Sequence, residues 1–169
     1  MSIVIAKYLK KEKKMVKAIN SLFRENNLTL GSVESFTGGL FAKEITSIPG
    51  ASKFYKGGLV TYASEEKMRL LGIAREDIDE HGVVSEEIAK QMAEKGRDLL
   101  DVDYCVSFTG NAGPEAMEGK PVGEIYIGIS SKDGVKVFPY HLQGQRNEIQ
   151  SQGVTLALTL LKEILEKII

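Results

Sequence analysis

Apolar positions along this chain switch repeatedly between helical spacing and short strand-like runs. From Met15 they fall at Met15, Val16, Ile19, Leu22 and Phe23, which predicts a helix ended by Asn26-Asn27. Residues 28–33 read as a short strand with β-branched members. Leu40 opens a second helical stretch that runs to Ile48 and stops at the breaker pair Pro49-Gly50. Residues 57–62 read as the next strand. Ser64-Glu65-Glu66-Lys67 has the form of a helix start, with Ser64 as cap and acids in the first turn, and Ser85-Glu86-Glu87 repeats it. The helix after Ser85 would bury Ile88, Ala89, Met92, Ala93, Gly96, Leu99 and Leu100 on one face.

The C-terminal part changes rhythm. Residues 104–109 form a short apolar strand that runs into a glycine-rich loop from Gly110 to Gly113. Residues 124–130 and 135–141 flank Ser131-Lys132-Asp133-Gly134, whose Asp-Gly pair predicts a hairpin. A long final helix carries Ile149, Leu156, Leu160 and Ile164 on one stripe. Helices and strands that alternate and then end in a hairpin predict an α/β fold, a three-layer α/β/α sandwich with a mixed sheet. No repeat or linker divides the chain, so residues 15–169 read as one domain. Residues 1–14, ending in Lys10-Lys11-Glu12-Lys13-Lys14, read as a charged N-terminal extension that is solvated.

Composition narrows the classes. The 169 residues are 43% apolar and 27% charged, enough for a domain that buries roughly two-thirds of its unfolded surface. A formal net charge of −1 gives no reason to expect nucleic acid or an anionic membrane as partner. No apolar run approaches the ~20 residues that span a bilayer. A single cysteine, Cys105, excludes an internal disulfide. A cytoplasmic location is the expectation, and the long terminal helix suits a homodimer.

Four clusters could carry chemistry. Ser35 lies at a strand-to-helix turn, Glu34-Ser35-Phe36-Thr37-Gly38-Gly39, where glycines permit close backbone approach and a helix N-terminus presents N–H groups to negative charge. A serine there is also a common turn or cap residue. As a nucleophile it needs a base, and His81 and His141 sit in no catalytic pattern. Lys67, near the start of its helix, is a second candidate, because the dipole and partial burial favour its neutral amine. The bland alternative is a surface lysine paired with Glu66. Tyr62 could position a substrate through its hydroxyl, or be a half-buried strand tyrosine. The loop Thr109-Gly110-Asn111-Ala112-Gly113 could turn backbone amides to a ligand, and Arg146 could meet a phosphate or carboxylate.

Read in order, Glu-Ser-x-Thr-Gly-Gly (residues 34–39), Gly-Gly-x-Val-x-Tyr-x-x-x-x-Lys (57–67), His-Gly-x-Val-Ser (81–85), Ser-x-Thr-Gly-x-Ala-Gly-Pro (107–114) and Lys-Pro-Val-Gly (120–123) resemble the CinA C-terminal domain family. The resemblance runs from about residue 15 to the C-terminus. It implies a stand-alone nicotinamide-nucleotide amidohydrolase of pyridine nucleotide salvage, which converts nicotinamide mononucleotide to nicotinate mononucleotide and ammonia. The family's Ser/Lys dyad would fall on Ser35 and Lys67, with the motif tyrosine on Tyr62. Thr37, Gly38 and Gly39 would serve the oxyanion and substrate, with backbone amides near Gly38 and Gly39 as the oxyanion hole. The loop from Thr109 to Gly113 and Arg146 would hold ribose and phosphate. No metal or organic cofactor is implied. The chain departs from the family pattern at Phe36, Ser64, Asn111 and Gln150, the last a position where a second arginine is common. These departures favour the alternative: a nucleotide-binding or competence-associated interaction module that keeps the pocket without the chemistry.

Overall fold

The computed structural model describes residues 3–168, with side chains from Glu12 to Lys167. The chain runs α1 (Ile3–Glu25), β1 (Leu30–Glu34), α2 (Leu40–Thr46), a 3-10 turn (Ala51–Lys53), β2 (Tyr55–Val60), α3 (Ser64–Leu71), α4 (Arg75–His81), α5 (Glu86–Leu100), β3 (Tyr104–Gly110), β4 (Glu124–Ser131), β5 (Gly134–His141) and α6 (Arg146–Ile168). The strands form one sheet in the order β2-β1-β3-β4-β5. β1 is parallel to both β2 and β3, and the Asp-Gly hairpin makes β4 and β5 antiparallel neighbours. The sheet is mixed, with helices on both faces, as the alternation of elements predicts.

Each face has its own core, and the strand period of two assigns side chains between them. Tyr104, Val106 and Phe108 of β3 join the core under α1, α2 and α6, which supply Phe23, Phe41, Ile45, Leu158 and Leu161. Cys105 faces the opposite way, packing with Val33, Ile88 and Met92 under α3 and α5. Ser107 points to that same side, where its hydroxyl donates to the Ala89 carbonyl of α5 at 2.6 Å. α5 lies tight on the sheet because residue 96 is glycine. A Cβ there would sit 2.3 Å from Val33 Cγ2 and 3.0 Å from Cys105 Sγ.

Several elements differ from the sequence reading. β2 begins and ends two residues earlier, because its register pairs Val60 with Glu34 at the end of β1. Tyr62 therefore lies beyond the strand. α4 has no buried residue, so it leaves no apolar stripe to read. Ser85 caps α5, accepting from the Ile88 N–H at 3.2 Å. Ser64 is instead the first residue of α3, behind an Ala63 cap that offers no side-chain bond. Leu99 is 56% exposed, not part of the buried face of α5. α6 turns Val154, Ala157, Leu158, Leu161 and Leu165 deepest, leaving Leu156, Leu160 and Ile164 half-buried beside them. The apolar residues of that helix cover a broad arc, so spacing alone does not select the innermost line.

The charged run 10–14 is part of α1. Lys13 and Lys14 are exposed, whereas Glu12 is buried and accepts from the Thr155 hydroxyl of α6 at 2.6 Å. The side chains of residues 1–11 lie outside the described residues. Among the described residues no helix is long and apolar enough to cross a membrane.

Candidate active site

β2, β1 and β3 are mutually parallel, so their carboxyl ends open on one edge of the sheet, where α/β folds collect ligands. Ser35 follows β1 directly, Thr61 and Tyr62 follow β2, and the loop from Gly110 follows β3. Together with the start of α6 they border a cavity of about 360 Å³ that holds Ser35, Phe36, Lys67, Thr109, Ala112 and Arg146 in its wall. A larger hollow of about 590 Å³ lies at the opposite end of the strands, lined by Arg24, Asn27, Thr29 and Lys53. Its Thr29 hydroxyl donates to the Asp103 carboxylate at 2.8 Å, whereas Ser35, Lys67 and the other candidate residues from the sequence gather at the smaller one.

Ser35 is held by its own N–H, which donates to the Phe108 carbonyl of β3 at 3.0 Å. Its Oγ lies 3.1 Å from Lys67 Nζ. Residues 32 apart in sequence thus meet at hydrogen-bond distance, and Lys67 is only 1% exposed. Burial pushes the lysine down from 10.5 to about 8, against smaller upward pulls from Glu118 and Glu65. Its other two contacts are backbone carbonyls, Thr61 at 2.7 Å and Tyr62 at 3.4 Å. A neutral amine has two N–H donors and one lone pair. With the two carbonyls taking the hydrogens, the lone pair is left for the Ser35 hydroxyl proton.

Glu34 turns out to organise this corner. Its buried carboxylate accepts from the N–H groups of Gly39 (3.1 Å), Phe41 (3.1 Å) and Ala42 (2.9 Å). Gly39, the cap of α2, has no side chain with which to satisfy those donors. Gly38 and Gly39 have φ of 60° and 100°, left-handed values that require glycine in this turn. The same bonds correct the expected oxyanion hole: the Gly39 amide is engaged by Glu34, and the Gly38 amide donates to the Ser35 carbonyl at 3.0 Å. The N–H groups that find no protein acceptor among the described residues are those of Phe36 and Thr37. The Thr37 hydroxyl is also buried without a partner.

The glycine-rich loop is likewise turned inward. Thr109 Oγ1 donates to the Val83 carbonyl at 2.5 Å. Asn111 donates its side-chain amide to the Glu115 carbonyl at 2.9 Å and the Lys120 carbonyl at 3.3 Å, while its Oδ1 accepts from the Gly113 N–H at 2.9 Å. These side chains shape the wall rather than offering donors to a ligand, while Gly110 and Ala112 line the cavity with small surfaces. Tyr62 is 59% exposed, and its hydroxyl accepts from Arg146 Nη2 at 2.7 Å. Arg146 Nη1 donates to the Gly113 carbonyl at 2.6 Å. Arg146 therefore spans the cavity mouth with neutral partners and, among the described residues, no carboxylate. Gln150, one turn further along α6, donates to the Phe36 carbonyl at 2.8 Å. His81 and His141 are exposed and outside the cavity wall. Cys105 is buried, its thiol pushed up to about 12 by burial, and lies on the α5 side of the sheet.

The family model of the CinA C-terminal domain matches residues 12–165. The chain belongs to that family. A Listeria welshimeri relative of this domain, named a competence-damage inducible protein, is 44% identical over 149 residues, which are 88% of this chain and 36% of that protein. A Bacillus subtilis relative of the same name is 38% identical over 153 residues, 90% of this chain and 37% of its own length. The chain thus spans little more than a third of these curated relatives. A CinA superfamily protein from Klebsiella pneumoniae superposes with a TM-score of 0.89 at 25% identity, covering 92% of this chain and 98% of that one. The competence/damage inducible protein CihA of Agrobacterium tumefaciens gives 0.86 at 31% identity, covering 92% and 95%.

Glu34 and Gln150 are the residues whose roles sequence reasoning missed. For Glu34 a signal existed: a helix opened by Gly-Gly has no capping side chain and needs an acceptor from elsewhere. For Gln150 there was none, because its partner lies 114 positions away.

Proposed function

We propose that this CinA C-terminal domain is an amidohydrolase that cleaves the carboxamide of nicotinamide mononucleotide with a Ser35/Lys67 dyad. The observation that carries the reading is the buried Lys67 Nζ at 3.1 Å from Ser35 Oγ, an amine that burial shifts toward its neutral form and that has no carboxylate among its hydrogen-bond partners in the described residues. Lys67 takes the Ser35 proton as Oγ attacks the carboxamide carbon. The N–H groups of Phe36 and Thr37, rather than those of Gly38 and Gly39, receive the developing oxyanion. Collapse expels ammonia with the proton from Lys67 and leaves a nicotinoyl ester on Ser35. Water, deprotonated by Lys67, then releases nicotinate mononucleotide. Arg146, which meets no carboxylate among the described residues, supplies the cation for the phosphate, with Tyr62 holding its guanidinium.

The test is ammonia release from nicotinamide mononucleotide by the purified protein beside Ser35→Ala. Turnover that falls by about three orders of magnitude or more in the variant, with the fold intact, is the expected result. Saturable nucleotide binding without ammonia would replace this reading with a binding module.

A further inference from the structure

The Ser35/Lys67 chemistry proposed above, on which this inference rests, needs the peptides behind the nucleophile held in place. α6 reaches that turn at two points. Gln150 Nε2 donates to the Phe36 carbonyl at 2.8 Å. Three residues on, Gly153 makes room for the Phe36 ring: a Cβ there would lie 2.8 Å from Cζ and 3.2 Å from Cε2. The ring itself is 3% exposed and meets Phe108 edge-on, with centroids 6.5 Å apart. Phe36 is thus fixed by both its ring and its carbonyl.

The hydrogen bonds sort the turn's two peptides in the same way. The Ser35 carbonyl is engaged by the Gly38 N–H, and the Phe36 carbonyl by Gln150. The N–H groups of the same two peptides, on Phe36 and Thr37, have no protein acceptor among the described residues. In a trans peptide the N–H points opposite to the C=O, so fixing the carbonyl fixes the direction of the amide. A bond accepted at the carbonyl also strengthens the N–H as a donor.

We propose that Gln150 is a positioning residue for the oxyanion site, aiming and polarising the 36–37 peptide through the Phe36 carbonyl. In the step it serves, the Ser35 Oγ–carbon bond forms, the carbonyl π pair moves to oxygen, and the serine proton passes to Lys67 Nζ. The anionic oxygen then meets the Phe36 and Thr37 amides. When the carbonyl reforms, the carbon–nitrogen bond breaks, and Lys67 returns the proton to the departing nitrogen. Gln150 touches none of these atoms. It sets the donors that do.

The test compares wild type with Gln150→Glu, which keeps the shape but removes the donor, and Gln150→Met, which removes the donor without adding charge. Two rates are read: kcat and KM for ammonia release from nicotinamide mononucleotide, and phosphonylation of Ser35 by an alkyl fluorophosphonate. The second needs the same oxyanion donors but no nucleotide. Expected is a fall of about 10- to 100-fold in both rates for both variants, less than the loss of a donor outright, with KM within about twofold. Melting temperatures close to wild type separate this from a merely structural bond. Unchanged rates in a folded Gln150→Met protein, or a loss confined to KM, would overturn the proposal. A wild type that labels at Ser35 yet releases no ammonia would refute the substrate alone, and the labelling rates would still judge Gln150. A wild type that does neither would remove the dyad reading and this inference with it.

Discussion

Lys67 should make the stability of this domain depend on pH in a way that a methionine at the same site abolishes. Its folded-state pKa is about 8 against an ordinary 10.5, with burial as the leading cause. Well below pH 8 the amine is protonated in both folded and unfolded chains, and the folded state carries the full cost of a buried charge. Between 8 and 10.5 the folded state releases the proton while the unfolded chain keeps it, so stability rises with pH. Above 10.5 both are neutral and the cost is gone. At about 1.4 kcal/mol per unit, the penalty is roughly 3 kcal/mol at pH 6.5 and falls to roughly 1 at pH 9.5. Lys67→Met has no such term. It loses the bonds to Thr61 and Tyr62, but that loss does not vary with pH. The difference in unfolding free energy between the two proteins should therefore shift by about 2 kcal/mol toward wild type between pH 6.5 and 9.5, roughly 4–8 °C in melting temperature. Urea titrations of both proteins across that range measure it directly. Parallel stability profiles would show that Lys67 titrates at its ordinary value and would sink the argument that burial prepares it as a base.

Other outcomes follow from the same structure. The kcat/KM for ammonia release should climb with pH and level off above about 8, as the neutral Lys67 becomes the major form; a rate already flat from pH 6 would exclude it as the base. Glu34→Gln should cost about 2–4 kcal/mol in a urea titration, since a neutral amide cannot accept three N–H bonds at the start of α2 as a carboxylate does. A cost below 0.5 would mean another group caps that helix. Gly96→Ala should destabilise by about 1–3 kcal/mol, because its Cβ would overlap Val33 between α5 and the sheet, and an unchanged melting temperature would contradict the packing.

Much of this molecule is determined by the sequence itself. The alternation of helical and strand spacing, the Asp-Gly hairpin and the Ser85 cap are local signals. They specify the α/β/α order because each depends on residues a few positions apart. Ser35, Lys67 and the loop after β3 were legible as candidates for the same reason: each follows a strand and opens a turn or helix. What the sequence could not decide is which groups remain available once the chain has closed. Gly38 and Gly39 look like anion-binding amides until the Ser35 carbonyl engages the first and the Glu34 carboxylate the second, and Asn111 looks like a ligand residue until it ties down its own loop. The innermost line of α6 depended on how the helix rolls against the sheet, since its apolar arc is broad. Only the parallel packing of β2 beside β1 carries Lys67 to Ser35, and only α6 crossing that edge brings Gln150 to the Phe36 carbonyl. Hydrogen bonds saturate, so a donor's role is settled by whichever acceptor the tertiary structure brings to it first.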